Sequence, residues 1–348
     1  MLQCRSHLRS YKKHYRELNK MHVSRRLLSI VCLSFCFSCL PSVFAQSVFT
    51  ASKKAKAEDK QYAIQGEYAG EIAGEGKVGA NIIALGGKKF KGVLYMGGLP
   101  GDGWAGGDAP SIDAEIKDDG TIEFEGGEGT GVYKDGEITL MAPGGSEVGV
   151  LKKVRRKSET LGMKPPKGAI VLFDGTNADE WENGEKKGKV LAFAPKSKGK
   201  SGTTSKQKFG SHKLHIEFRL PYKPESRGQG RGNSGLYLQG RYEVQMLDSF
   251  GLEGKDNECG GIYSISKPKL NMCYPPLTWQ TYDVDFKAAE YADGKVVKNP
   301  MITVKHNGVV IHEDLELPKS TTASPMKPGP EDGPIYLCLL YTSDAADE

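Results

Sequence analysis

Short runs in which apolar and polar side chains alternate recur along this chain, and they limit its possible folds more than any other feature. A period of two puts successive side chains on opposite faces of a strand. In Lys213-Leu-His-Ile-Glu-Phe-Arg-Leu220, Leu214, Ile216, Phe218 and Leu220 form an apolar face, and Lys213, His215, Glu217 and Arg219 form a polar one. Arg241-Tyr-Glu-Val-Gln-Met-Leu-Asp248 and Trp279-Gln-Thr-Tyr-Asp-Val-Asp-Phe286 repeat the pattern. Gly, Pro, Asn and Asp stand between the runs, so an all-β chain of strands joined by turns is expected.

A length of 348 residues leaves room for two domains. Residues 61–151 hold 23 of the 44 glycines and read as a small Gly-rich β domain. Its expected strands are Ala80–Leu85, Phe90–Tyr95, Ser111–Ile116, Thr121–Phe124 and Glu137–Met141. The glycine-dense stretch from Gly97 to Gly107 has no GK[ST] ending and no following helix, so it reads as a loop around Trp104 and not as a phosphate cradle. Polar residues 46–60 suggest a flexible lead-in, and 152–167 a basic, proline-ended linker. The second domain, 168–337, opens with an expected apolar strand at Ala169–Asp174, and Lys196–Lys208 reads as a loop.

The formal charge of +5 is concentrated at the N-terminus. Residues 1–45 carry eight Lys/Arg against Glu17, which leaves 40 basic and 42 acidic side chains elsewhere. A near-neutral body has no clustered basic face and gives no case for nucleic acid. Met21 begins a positive segment with Arg25 and Arg26, followed by an apolar run from Leu27 to Leu40 and small residues up to Ala45. This is the layout of a secretory signal peptide with its natural start at Met21. The run is shorter than the roughly 20 residues of a membrane span. The expectation is an exported protein, periplasmic or extracellular, with no stable span after cleavage. Four of the seven cysteines fall in the leader; Cys259 and Cys273 are equally readable as a disulfide or as two buried thiols.

Polar faces holding His215, Glu217, Arg219, Arg241, Glu243 and Gln245 carry groups that orient a polyhydroxy ligand, unlike ordinary wet faces rich in Lys, Thr and Ser. Tyr237, Tyr263, Tyr274 and Trp279 are candidates for an aromatic rim or for the core. Asp248 falls on the apolar side by strict alternation, so a bulge turning it back to the polar face is expected. The reading requires neighbouring strands to bring His215, Glu217, Glu243 and Gln245 to one shared hollow.

Six ordered segments resemble the 3-keto-disaccharide hydrolase family, which includes 3-keto-glucoside lyases. They are Leu172-Phe-Asp-Gly175, Phe209-Gly-Ser-His-Lys-Leu-His-Ile-Glu-Phe-Arg219, Gly232-Asn-Ser-Gly-Leu-Tyr-Leu238, Gly240-Arg-Tyr-Glu-Val-Gln-Met-Leu-Asp-Ser249, Cys259-Gly-Gly-Ile-Tyr263 and Trp279-Gln-Thr-Tyr-Asp283. The resemblance implies a concanavalin A-like jelly-roll β-sandwich. It also implies cleavage of 3-keto-glucosides by C2 proton abstraction, loss of the glycosidic oxygen and hydration. That chemistry needs a base, an acid and something to stabilise an enolate. Glu243 is the expected base or metal-facing carboxylate, Asp248 its acid partner, and His215 and Glu217 a neighbouring catalytic pair. Arg219, Asn233, Arg241, Gln245 and Tyr263 are expected to hold the sugar. A divalent ion would suit a carboxylate–imidazole cluster, although the sequence does not prove one. Gln245 stands where jelly-roll β-glucanases carry a second acid, which speaks against simple retaining hydrolysis. Cys338–Glu348 departs from the family's pattern and reads as a non-native tail replacing a final strand and an Asp-His pair. The alternatives are a non-catalytic carbohydrate-binding sandwich and a scaffold or adhesin.

Overall fold

The computed structural model describes residues 47–193 and 202–339. The leader at 1–45, the start of the 196–208 loop and the tail from 340 lie outside the described residues.

The Gly-rich half is one antiparallel sheet of eight strands. Its order is Ser111–Glu115, Lys89–Met96, Gly76–Ala84, Gly66–Ile72, Glu147–Val154, Glu137–Met141, Gly129–Lys134 and Ile122–Gly126. The first and last strands of that order meet at an Ile116–Ile122 bridge, so the sheet rolls back on itself. Inside lie Tyr68, Val78, Ile82, Phe90, Ile122, Tyr133 and Leu151. The expected strands of this half are found; Gly66–Ile72, Gly129–Lys134 and Glu147–Val154 are additional. Rolling the sheet removes most of its exposed edge.

The second half is a β-sandwich, and the all-β class read from the alternation holds. One sheet has the order Trp181–Glu182, Gly202–Phe209, Gly333–Leu339, Ser234–Leu238, Tyr242–Met246. The other has the order His212–Arg219, Trp279–Lys287, Met301–His306, Val309–Glu316. The last two strands form the hairpin expected at Asn307-Gly308, where both residues have positive φ (51° and 89°). Leu236, Val244 and Leu337 from one sheet meet Phe218, Val284, Phe286 and Val304 from the other in a single core. Ile83, Val93 and Tyr95 of the rolled sheet, with Leu99 just beyond it, join the same core, so the two halves pack together directly.

Several expectations are corrected here. The lead-in is ordered: Ser52–Glu58 and Lys60–Ile64 are short helices, Ala55 is buried, and Phe49 exchanges backbone hydrogen bonds with Tyr222. The basic stretch is no solvated connector. Lys152–Val154 end a strand, Arg156 pairs with buried Glu67 and donates to the Pro100 carbonyl (2.6 Å), and Ser158 hydrogen-bonds Thr281 (2.6 Å). Residues 202–208 belong to a strand, not to a loop. Ala169–Asp174 is not a strand: no described strand pairs with it, and Ile170 and Val171 are 53% and 44% exposed. The final described strand runs two residues past 337, with Cys338 between Gly202 and Gly235.

Candidate functional site

Ser234–Leu238 and Tyr242–Met246 are antiparallel neighbours in which Tyr237 faces Glu243 and Gly235 faces Gln245. Because Leu236, Leu238, Val244 and Met246 enter the core, alternation sends Tyr237, Glu243 and Gln245 to the sheet's other face. The next strand brings Tyr336 beside Tyr237 and Cys338 beside Gly235. The free edge of Tyr242–Met246 is covered. Gly260 and Gly261 bond Gln245, the Tyr263 amide donates to the Glu243 carbonyl (3.3 Å), and the Glu243 amide donates to Thr321 Oγ1 (2.9 Å).

Glu243 is 3% exposed. Burial pushes its carboxyl up to about 7, against an opposing pull from the Tyr237 hydroxyl, which donates to it. Burial also raises the Tyr237 phenol, reinforced by the charge of Glu243, and pushes the Cys338 thiol up to about 12. Turned so that its nitrogen faces acceptors, the Gln245 amide donates to Glu243 Oε1 (3.1 Å) and the Ser234 carbonyl (2.7 Å). Gln229 Oε1 accepts from Asn233 Nδ2 (2.5 Å), and Asn233 Oδ1 is buried with no partner among the described residues. The arrangement is a buried carboxyl, poised to change protonation near neutrality, set among hydrogen-bonding groups.

The remaining expected site residues lie elsewhere. His215 and Glu217 sit on the other sheet, on the face turned away from the shared core. The two polar faces therefore point outward from opposite sides of sheets about 10 Å apart, and the expected single hollow is not formed. His215 Nδ1 bonds Asp283 Oδ1 (2.7 Å), and its Nε2 stands 3.5 Å from Glu217 Oε1. Thr160 donates to Asp283 (2.7 Å) and the Gly162 amide donates to Glu217, so this face binds the segment joining the two halves. Arg219 lies over Trp279, 5.3 Å from the ring centre.

Asp248 is not turned to the polar face by a bulge. It stays buried because Arg231 reaches its Oδ2 with Nε (3.0 Å) and Nη2 (2.7 Å), balancing the charge in place. Arg241 is 1% exposed and spends its guanidinium on the Lys327 and Glu331 carbonyls (both 2.8 Å) and on Gln239. Gln245 is fully buried and touches Glu243, so its contact is with the carboxyl. Of the nine expected residues, Glu243, Gln245 and Asn233 come together, and Tyr263 joins them through its backbone amide. Gly235 and Gln229 were missed; the register behind the Gln239-Gly240 turn was the signal for Gly235.

A divalent ion does not fit what is described. The imidazole and Glu243 belong to different sheets, and among the described residues no group of three or more His, Cys, Asp or Glu side chains is arranged to hold a metal.

Residues 168–340 match the family described as the 3-keto-alpha-glucoside-1,2-lyase-like domain. A crystal structure of a candidate glycosyl hydrolase from Parabacteroides distasonis ATCC 8503 at 2.13 Å is 32% identical; the match covers 49% of this chain and 76% of that one, with a TM-score of 0.45. The chain belongs to the lyase-like family. Its members' carbohydrate-active role is therefore this chain's coarse function. A second candidate glycosyl hydrolase from the same organism, at 1.70 Å, is 17% identical over 49% of this chain and 86% of its own, with a TM-score of 0.34. Comparison with curated proteins returns no match. No helix among the described residues is long and apolar enough to cross a membrane.

Proposed function

We propose that this lyase-like domain cleaves 3-keto-glucosides, with Glu243 as the proton-transfer residue. The observation that carries the reading is a buried carboxyl whose pKa is raised to about 7 on a polar sheet face, in a chain of this family. A ketone at C3 acidifies the hydrogen on C2. Ionised Glu243 takes that proton, the electron pair forms the C1=C2 bond, and the C1–O bond to the aglycone breaks, its oxygen taking a proton from solvent that the later addition of water gives back. Water then adds, hydroxyl to C1 and proton to C2, so the net change is hydrolysis. A base with a pKa near the working pH serves both the abstraction and the return of the proton. Asn233 Oδ1, buried and lacking a described partner, is an acceptor that we assign to a sugar hydroxyl. We also infer export, from the leader alone; N-terminal sequencing of the mature protein beginning after Ala45 would support it.

The test is incubation with a 3-keto-disaccharide, following release of 3-keto-glucose. Turnover that Glu243→Gln lowers at least a hundredfold is expected. Binding of the sugar in calorimetry without turnover would instead make the domain a carbohydrate-binding sandwich.

A further inference from the structure

We propose that Tyr237 is a positioning residue that holds the Glu243 carboxylate in one orientation and keeps it available as a base. The inference deepens the proposed proton-transfer role of Glu243 and rests on it.

The two residues are direct cross-strand partners, so their separation is fixed by backbone pairing rather than by side-chain choice. Tyr237 is 2% exposed, and its ring meets that of Tyr336 at 5.4 Å between centroids, which confines the phenol. Glu243 lies over Gly235, where a side chain would collide with it, and Gln245 offers a second donor from the same strand. Two donors on one carboxylate leave acceptor capacity for a third proton, which is what a base in this chemistry must take. A phenol hydrogen bond favours the ionised carboxylate. Without it, burial alone would keep the group protonated to higher pH. Among the described residues, the titratable groups facing Glu243 are Tyr237 and, one strand beyond, Cys338, with Tyr336 behind Tyr237.

The experiment separates this role from the activity itself. The Glu243 carboxyl is titrated by 13C NMR in the substrate-free protein and in Tyr237→Phe, and kcat and KM are measured across pH with a 3-keto-disaccharide. Tyr237→Phe is expected to move the titration up by about one pH unit, since one lost hydrogen bond shifts a buried carboxyl by roughly that amount. The acid limb of kcat should move with it while KM stays within about twofold. Incorporating 3-fluorotyrosine at 237, a stronger donor of the same shape, should move the titration down, and it covers the case in which the Phe variant fails to fold. An unmoved titration in both variants overturns the proposal. A moved titration in a protein that turns over no 3-keto sugar leaves the Tyr237–Glu243 coupling standing and rejects the proposed function.

Discussion

A side chain on Gly235 would place its Cβ 2.1 Å from Oε1 of Glu243. The carboxyl thus occupies the space that glycine leaves open on the neighbouring strand, and the absence of one methyl group is part of the site. Gly235 does not have the positive φ that only glycine readily adopts, so the requirement is steric.

Gly235→Ala should therefore expel the carboxyl without straining the backbone. The displaced group loses its donors on Tyr237 and Gln245 and moves by an ångström or more. Turnover is expected to fall about 10- to 100-fold, with a stability loss of roughly 1–3 kcal/mol for overpacking. Circular dichroism would confirm the fold. A variant with full kcat would show that the carboxyl position is not needed.

Glu243→Gln should stabilise the protein at alkaline pH while abolishing turnover. The folded-state value, about 7, lies above the ordinary 4.5. The stability that the protonated carboxyl allows is fully present below about 4.5 and is lost as pH rises through 7. Glutamine resembles the protonated form at every pH. A gain of roughly 1–3 kcal/mol at pH 8, shrinking to nothing near pH 4, is expected from the size of the shift. Thermal melts across that range check it, and an equal effect at both ends would show that Glu243 is not destabilised by its charge.

The strand faces were legible because period two reports directly which side chains share a side. The same signal says nothing about which sheet a strand enters. Lys213–Leu220 and Arg241–Asp248 look alike in sequence, yet one pairs with Trp279–Lys287 and the other with Ser234–Leu238. Placing His215 beside Glu243 assumed a common sheet that alternation cannot supply. Asp248 shows a second limit: its partner Arg231 lies 17 residues away in an irregular segment, where no periodicity points to it. Helices in the lead-in escaped notice because their two short segments are held by packing of Ala55 and Ile64, not by propensity.

Asp248→Asn should destabilise the fold strongly, because it strands the Arg231 guanidinium, whose side chain is 5% exposed. Removing one member of a buried pair costs about 3–5 kcal/mol. Replacing both with Arg231→Met and Asp248→Leu should recover part of that loss in urea unfolding. Where the single variant remains folded, KM and the pH profile should match the parent. A tenfold fall in kcat with unchanged stability would return Asp248 to the catalytic machinery.

His215→Gln should alter stability in a pH-dependent way and leave turnover alone. The hydrogen bond from His215 to Asp283 raises the imidazole above its ordinary 6.5, against the effect of partial burial. A raised histidine contributes stability that is fully present below 6.5 and lost as pH rises through its folded value. The variant should be less stable than the parent by at most about 1 kcal/mol at pH 5, given partial solvent screening, and the gap should close by about pH 8. Because this face points away from Glu243 across the sandwich, kcat and KM should stay within about twofold. A kcat reduced more than tenfold would mean that chemistry takes place on the His215 face.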